Sequence, residues 1–186
     1  YWVRVSNGLG SVDSAATFIG KWQVIDPLFG PDELSAAAYG QGRFVVVGKT
    51  VGSSNNGVDW QKNTIAPGAD LRTVHYGGGQ FVAGGYRGQI FTSVDGISWT
   101  KRQDAAPTGH EILSSGAFGN GVHVLVSGNG QILASTDGAN WGSRSLAVGE
   151  ETIALRSVAF GAGSFVAVGV TVSSNKWSGC VFRSID

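Results

Sequence analysis

The sequence has little of what builds metal centres, disulfides or long solvated helices. Its 186 residues include one cysteine, no methionine, three histidines and four prolines. Cys180 cannot close a disulfide within the chain, and no other Cys or His stands near it at metal-ligand spacing, so it reads as a small buried side chain. Charged residues amount to 14%, with thirteen Lys and Arg against thirteen Asp and Glu. That balance offers no field to draw in nucleic acid or an anionic membrane, and neither is expected as a partner. No apolar run approaches the ~18 residues of a membrane-spanning helix, and the first residues lack the basic-then-apolar order of a leader. A soluble chain is expected. The lack of an initiating methionine fits a processed or truncated chain, which leaves a removed leader open.

Glycine is abundant, at 30 residues, which suits tight turns between strands. It is organised as a repeat, the pattern that decides how the rest is read. One copy runs from Leu71 through Tyr76-Gly77-Gly78-Gly79 and Phe81-Val82 to Gly85, then from Gly88 to Ser93, Asp95, Gly96 and Trp99. A second has Tyr39-Gly40-Gln41-Gly42, Phe44, Gly48, Ser54, Asn56, Gly57 and Trp60. A third has Phe118-Gly119-Asn120-Gly121, Ser135, Asp137, Gly138 and Trp141, and a fourth begins Phe160-Gly161-Ala162-Gly163 and Phe165. The first residues form a degenerate copy, with a strand over Trp2–Val5, a turn at Ser11–Ser14 and Trp22 as the closing aromatic. Trp22, Trp60, Trp99 and Trp141 recur every 38 to 42 residues, the period of a four-stranded propeller blade.

Each copy reads as four short strands. The first ends in an aromatic before a Gly-x-Gly hairpin, where positive φ is needed. The second is apolar on successive residues and reads as buried on both faces between neighbouring blades. The third alternates and reads as half exposed. A Ser-x-Asp-Gly turn follows, in which Ser and Asp accept bonds from nearby amides, and Trp opens the outer strand. The expectation is an all-β chain: a single β-propeller domain over 1–186 with five repeats visible, approximately 1–33, 34–70, 71–112, 113–154 and 155–186. The alternative is a segment of a six- or seven-bladed propeller, since the first copy lacks its innermost strand and the last its outermost.

The Ser-x-Asp-Gly-x-x-Trp segments resemble a shortened form of the Asp-box of bacterial-neuraminidase-type repeats, found in sialidases and in many non-catalytic propellers. The resemblance rests on Ser54, Asn56 and Trp60, on Ser93, Asp95 and Trp99, and on Ser135, Asp137 and Trp141. It departs from the common box by one fewer residue between Ser and Trp, and by Asn56 in place of Asp. It implies a structural role for these residues and says little about a ligand. A sialidase would further imply an arginine triad around the axis, a nucleophilic Tyr with its Glu partner, and an acid Asp. Arg72 and Arg156 follow the leucine that begins the first strand in their copies, but Ser35 and Ser114 stand at that position in the other two.

Other candidates for chemistry have plainer explanations. The Gly-x-Gly turns run into another strand, not a helix, so they are hairpins and not phosphate loops. Asp13, Asp95 and Asp137 come one per blade and cannot converge as calcium ligands. His75, His110 and His123 lie in three different settings without a metal pattern, and His75 reads as an ordinary partly buried histidine. Asp32, Glu33, Asp70, Asp104, Glu111, Glu150 and Glu151 fall in the connections after the Trp strands, on one face of the disc, where exposed solubility groups are the ordinary expectation. Pro27, Pro31, Pro67 and Pro107 stiffen those same loops, which vary most between copies, as ligand surfaces do.

The leading functional reading is a non-catalytic binding module, extracellular or on a cell surface, with a glycan as ligand and repeated blades giving avidity. Tyr86 and Trp177 stand outside the repeat pattern and, with Arg72 and Arg156, are the ligand-binding candidates. The alternative is a protein-interaction or assembly scaffold using one disc face. A sialidase-like glycosidase is a third reading. No cofactor or metal is expected.

Overall fold

The computed structural model describes residues 4–7, 10–13, 29–30, 32–104, 111–149, 151–173 and 176–184. Trp2, Trp22, Asp26, Pro27, Pro31, Pro107, His110 and Glu150 lie outside them. The described residues form strands, turns and connections with no helix, and no helix is long and apolar enough to cross a membrane.

Seventeen strands are described, grouped as antiparallel meanders in chain order. β1 (Arg4–Asn7) and β2 (Gly10–Asp13) form a hairpin. β3 (Leu34–Gly40), β4 (Arg43–Gly48), β5 (Val51–Ser54) and β6 (Gln61–Asn63) form the second blade. β7 (Leu71–Gly77), β8 (Gln80–Gly85), β9 (Gln89–Ser93) and β10 (Thr100–Asp104) form the third. β11 (Leu113–Gly119), β12 (Val122–Ser127), β13 (Gln131–Ser135) and β14 (Gly142–Ser145) form the fourth. β15 (Thr152–Gly161), β16 (Ser164–Ser173) and β17 (Lys176–Arg183) make a three-stranded fifth blade. Three repeats therefore carry the four strands expected of a blade, while the first and last show two and three. The inner strands β3, β7, β11 and β15 pack side by side in that order.

The core lies between blades, not within them. Val45, Val47 and Val51 meet Leu71, Phe81, Ala83 and Phe91 across the second junction. Val82 and Ile90 meet Leu113, Leu125 and Leu133 across the next. Val124 and Val126 meet Ile153, Leu155, Val158 and Ala167 across the last. Alternate residues of one strand thus serve opposite junctions, as the period-two geometry of a strand requires. Phe91 and Ile90, neighbours in β9, are both buried, so the third strand of this blade is sandwiched like the second and not half exposed; in β13 the expected alternation holds, with Leu133 buried and Ala134 exposed. β8 and β12 are buried on both faces, whereas β4 and β16 are buried on one, because only the middle blades have a described blade on either side.

One joint recurs at each junction. A Cβ placed on Gly40 would overlap the ring of Tyr76; on Gly77, the ring of Phe118; on Gly119, the ring of Phe160. The glycine that closes each inner strand is the socket for the aromatic of the next blade. Side-chain amides brace the same hairpins, Gln41 Nε2 donating to Gly79 O and Asn120 Nδ2 to Gly163 O, both at 3.3 Å.

The Ser-x-Asp-Gly turns are held by short side-chain bonds. Ser93 Oγ accepts from Gly96 N at 2.8 Å, and Asp95 Oδ1 accepts from Ile97 N and Ser98 N at 2.8 Å. Ser135 and Asp137 repeat this with Gly138, Ala139 and Asn140, as do Ser54 and Asn56 with Gly57, Val58 and Asp59. Gly57, Gly96 and Gly138 take φ of 75°, 73° and 70°, the left-handed region that glycine enters without penalty. Trp60 and Trp141 donate Nε1 back to the carbonyls of Gly57 and Gly138; Trp99 Nε1 has no partner.

Candidate functional site

Each of the four described inner strands carries a β-bulge just after a leucine. The register shifts between Leu34 and Ala36, Leu71 and Thr73, Leu113 and Ser115, and Leu155 and Ser157. The extra residue is therefore Ser35, Arg72, Ser114 or Arg156. A bulge re-aims the side chain it carries, so the equivalent positions singled out in the sequence are the four that the backbone turns out of the ladder. Opposite three of these bulges a glycine is required, because a Cβ on Gly48, Gly85 or Gly169 would overlap the carbonyl oxygen of Glu33, Asp70 or Ala154.

Arg72 is the centre of the most connected group at this end of the inner strands. Its Nη1 donates to Glu33 Oε1 at 3.1 Å and to Ser35 Oγ at 3.4 Å, and its Nη2 donates to Asp70 Oδ2 at 3.4 Å. Nε stands 3.3 Å from Asp70 Oδ1 without hydrogen-bond alignment. Its guanidinium carbon lies 4.6 Å from the ring centroid of Tyr86, a cation–π contact. Burial works against the charge of Arg72, but the bond to Glu33 and the nearby Asp70 outweigh it and the pKa is raised. Two bulge positions of adjacent blades, Ser35 and Arg72, are thus joined by one guanidinium.

Tyr86 ties this group to the next blade. Its N donates to Asp70 O at 2.9 Å, and it bridges Ile112. Glu111, beside Ile112, is 3% exposed. One carboxylate oxygen accepts from Asn129 Nδ2 at 2.9 Å, while Oε2 is buried with no partner. Asn129 is itself bonded to Ser127 Oγ through Oδ1. A buried carboxylate oxygen left unpaired is costly. The sequence grouped Glu111 with exposed loop carboxylates; in the fold it is covered. Glu33 and Asp70 flank a guanidinium and do not face each other across an open cleft.

The remaining candidates are placed elsewhere. Arg156 is exposed on β15, separated from Arg72 by β11, whose own bulge residue Ser114 donates to Leu155 O at 2.9 Å and to Val126 O at 3.2 Å. Trp177 is 67% exposed on β17, two blades away from Tyr86. A cleft of about 380 Å³ opens beside the second blade, lined by Asp32, Lys49, Lys62, Asn63 and residues 64–69 with Pro67. The Lys62 ammonium donates to Asp32 at 2.7 Å across it. Among the described residues no three His, Cys, Asp or Glu side chains cluster as a metal site.

No protein-family model and no curated protein matches the sequence. Solved structures do. A streptogramin B lyase matches over 80% of this chain and 55% of its own, with TM-score 0.61 and 11% identity. YCF48 bound to a D1 peptide matches over 81% and 53%, with TM-score 0.54 and 14% identity. A catalytically inactive virginiamycin B lyase from Staphylococcus aureus, with quinupristin, matches over 96% and 62%, with TM-score 0.64 and 10% identity. This chain has a β-propeller fold. It spans about half the length of the first two propellers, and identities this low carry the architecture alone.

Proposed function

We propose that this propeller is a non-catalytic binding module that holds a polypeptide segment bearing a basic side chain at the bulge end of its inner strands. The observation that carries the reading is the group around Tyr86. Glu33 and Asp70 bond the guanidinium that lies over its ring, and Glu111, next to the Ile112 that bridges Tyr86, keeps a buried carboxylate oxygen without a partner. Tyr86 is 37% exposed, and a ring beside carboxylates favours a Lys or Arg side chain. The propeller YCF48 is described with a bound peptide, and that likeness supports a polypeptide as the ligand class.

A glycan is the second reading, favoured by the same exposed ring with hydrogen-bonding groups around it. The test is to probe the protein with arrays of extended peptides, Lys- and Arg-containing against Glu-containing, and with a glycan array, while assaying the glycans for release. Saturable, salt-sensitive binding of the basic peptides supports the proposal. Binding of glycans alone supports the second reading, and release of sugar overturns both.

A further inference from the structure

The cleft beside the second blade and the group around Arg72 are built from the same two connections. Asp32 lines the cleft and its neighbour Glu33 bonds Arg72; Ala69 lines the cleft and its neighbour Asp70 bonds the same guanidinium. Lys49, which also lines the cleft, is tied through its backbone N to Glu33 O at 3.0 Å. Neighbouring residues stand about 3.8 Å apart along a chain, so the two sites are separated by the length of a few residues. One extended segment can reach both.

The cleft differs from the Arg72 group in the sign of its charge. Its charged lining residues are Lys49, Lys62 and Asp32. Asp32 accepts from the Lys62 ammonium at 2.7 Å and neutralises it. Among the described residues the exposed Lys49 has no such partner, so one positive charge is left over. Thr50 and Asn63, both buried, add neutral polar groups to the lining. A volume of about 380 Å³ is at the low end for small-ligand sites and suits one side chain or one chain end. A carboxylate matches a single uncompensated ammonium. A phosphate group, with about −1.5 to −2 charges, would exceed it in a cleft that already holds Asp32.

We infer that the cleft takes a carboxylate of the bound polypeptide, paired with Lys49, a few residues from the basic side chain seated at Tyr86. The inference rests on the reading of the bulge end given above and narrows its ligand to a segment that carries both charges. An Asp or Glu side chain and the segment's own C-terminus present the same carboxylate chemistry, and the experiment separates them.

The test is titration of three alanine-based peptides against the parent protein, Lys49→Gln and Lys49→Glu. The first, blocked at both ends, carries one Lys. The second adds a Glu roughly three residues from that Lys, and the third instead ends there in a free carboxylate. Lys49 is exposed, so the melting temperatures of both variants should match the parent's and report an intact fold. A carboxylate should tighten binding to the parent by about threefold or more over Lys alone, and the peptide that shows the gain identifies its source. Lys49→Gln should erase the gain and Lys49→Glu should reverse it. Equal affinity for all three peptides, or a gain that persists in both variants, would overturn the inference while leaving the bulge end as a site for a basic side chain. Binding of none of them would overturn that reading along with it.

Discussion

His75 Nε2 lies 3.1 Å from His123 Nδ1, joining β7 of one blade to β12 of the next in a buried pair. Burial, and then the neighbouring His123, push His75 down to about 3 from an ordinary 6.5. Burial also lowers His123, against the opposing pull of Asp137. The folded chain therefore refuses protons that the unfolded chain accepts below pH 6.5. Stability is expected to be full above that pH and to fall as pH drops toward 3, at up to about 1.4 kcal/mol per pH unit for each histidine. Urea titrations from pH 8 to 4 check this. His75→Gln should flatten the dependence while lowering stability at pH 7.

The glycine sockets predict opposite outcomes for one substitution at equivalent positions. Gly119→Ala forces a methyl into the ring of Phe160 and should cost about 1–3 kcal/mol, as overpacking does. Gly161→Ala, with nothing near it, should change the melting temperature little. Thermal unfolding of the two variants side by side decides the point.

Ser93 is buried and its hydroxyl receives Gly96 N while donating to Asp95. Ser93→Ala should lose about 1–3 kcal/mol by leaving that amide unpaired. Burial opposes the ionisation of Asp95, but amide bonds from Ser98 and Ile97 and the Ser93 hydroxyl hold its carboxyl down to about 2. The stability that this turn draws from an ionised Asp95 is thus present above the ordinary pKa near 3.8 and is lost as pH falls through 2. Asp95→Asn should remove that acid limb from the unfolding profile while leaving the neutral plateau in place.

Much of this fold was legible in the sequence because the repeat is punctuated. Trp60, Trp99 and Trp141 immediately precede the outer strands, and Leu34, Leu71 and Leu113 open the inner ones. The bulges were not legible as such, since the shift at Arg72 depends on Gly85 facing the carbonyl of Asp70 across the strand pair. Nor was the histidine pair, whose members are 48 residues apart and sit at non-equivalent positions of their repeats. Glu111 reads like the other loop carboxylates because the partner that holds it, Asn129, comes from a turn 18 residues away, which nothing local announces.

Glu111→Gln keeps an acceptor for Asn129 Nδ2 and removes only the charge of the unpaired oxygen. The fold should survive, and stability should hold or rise, since an uncompensated buried charge is lost. Calorimetric unfolding checks both expectations.

The most direct measurement of the central claim is titration of a labelled basic peptide, taken from the array, against the parent protein and against Glu33→Gln and Tyr86→Ala. A basic ligand seated on this group should bind the parent saturably, weaken as salt rises, and lose about tenfold or more in affinity in each variant. Equal affinity for all three proteins, or a preference for acidic peptides, would contradict the account and remove the bulge end as the binding surface.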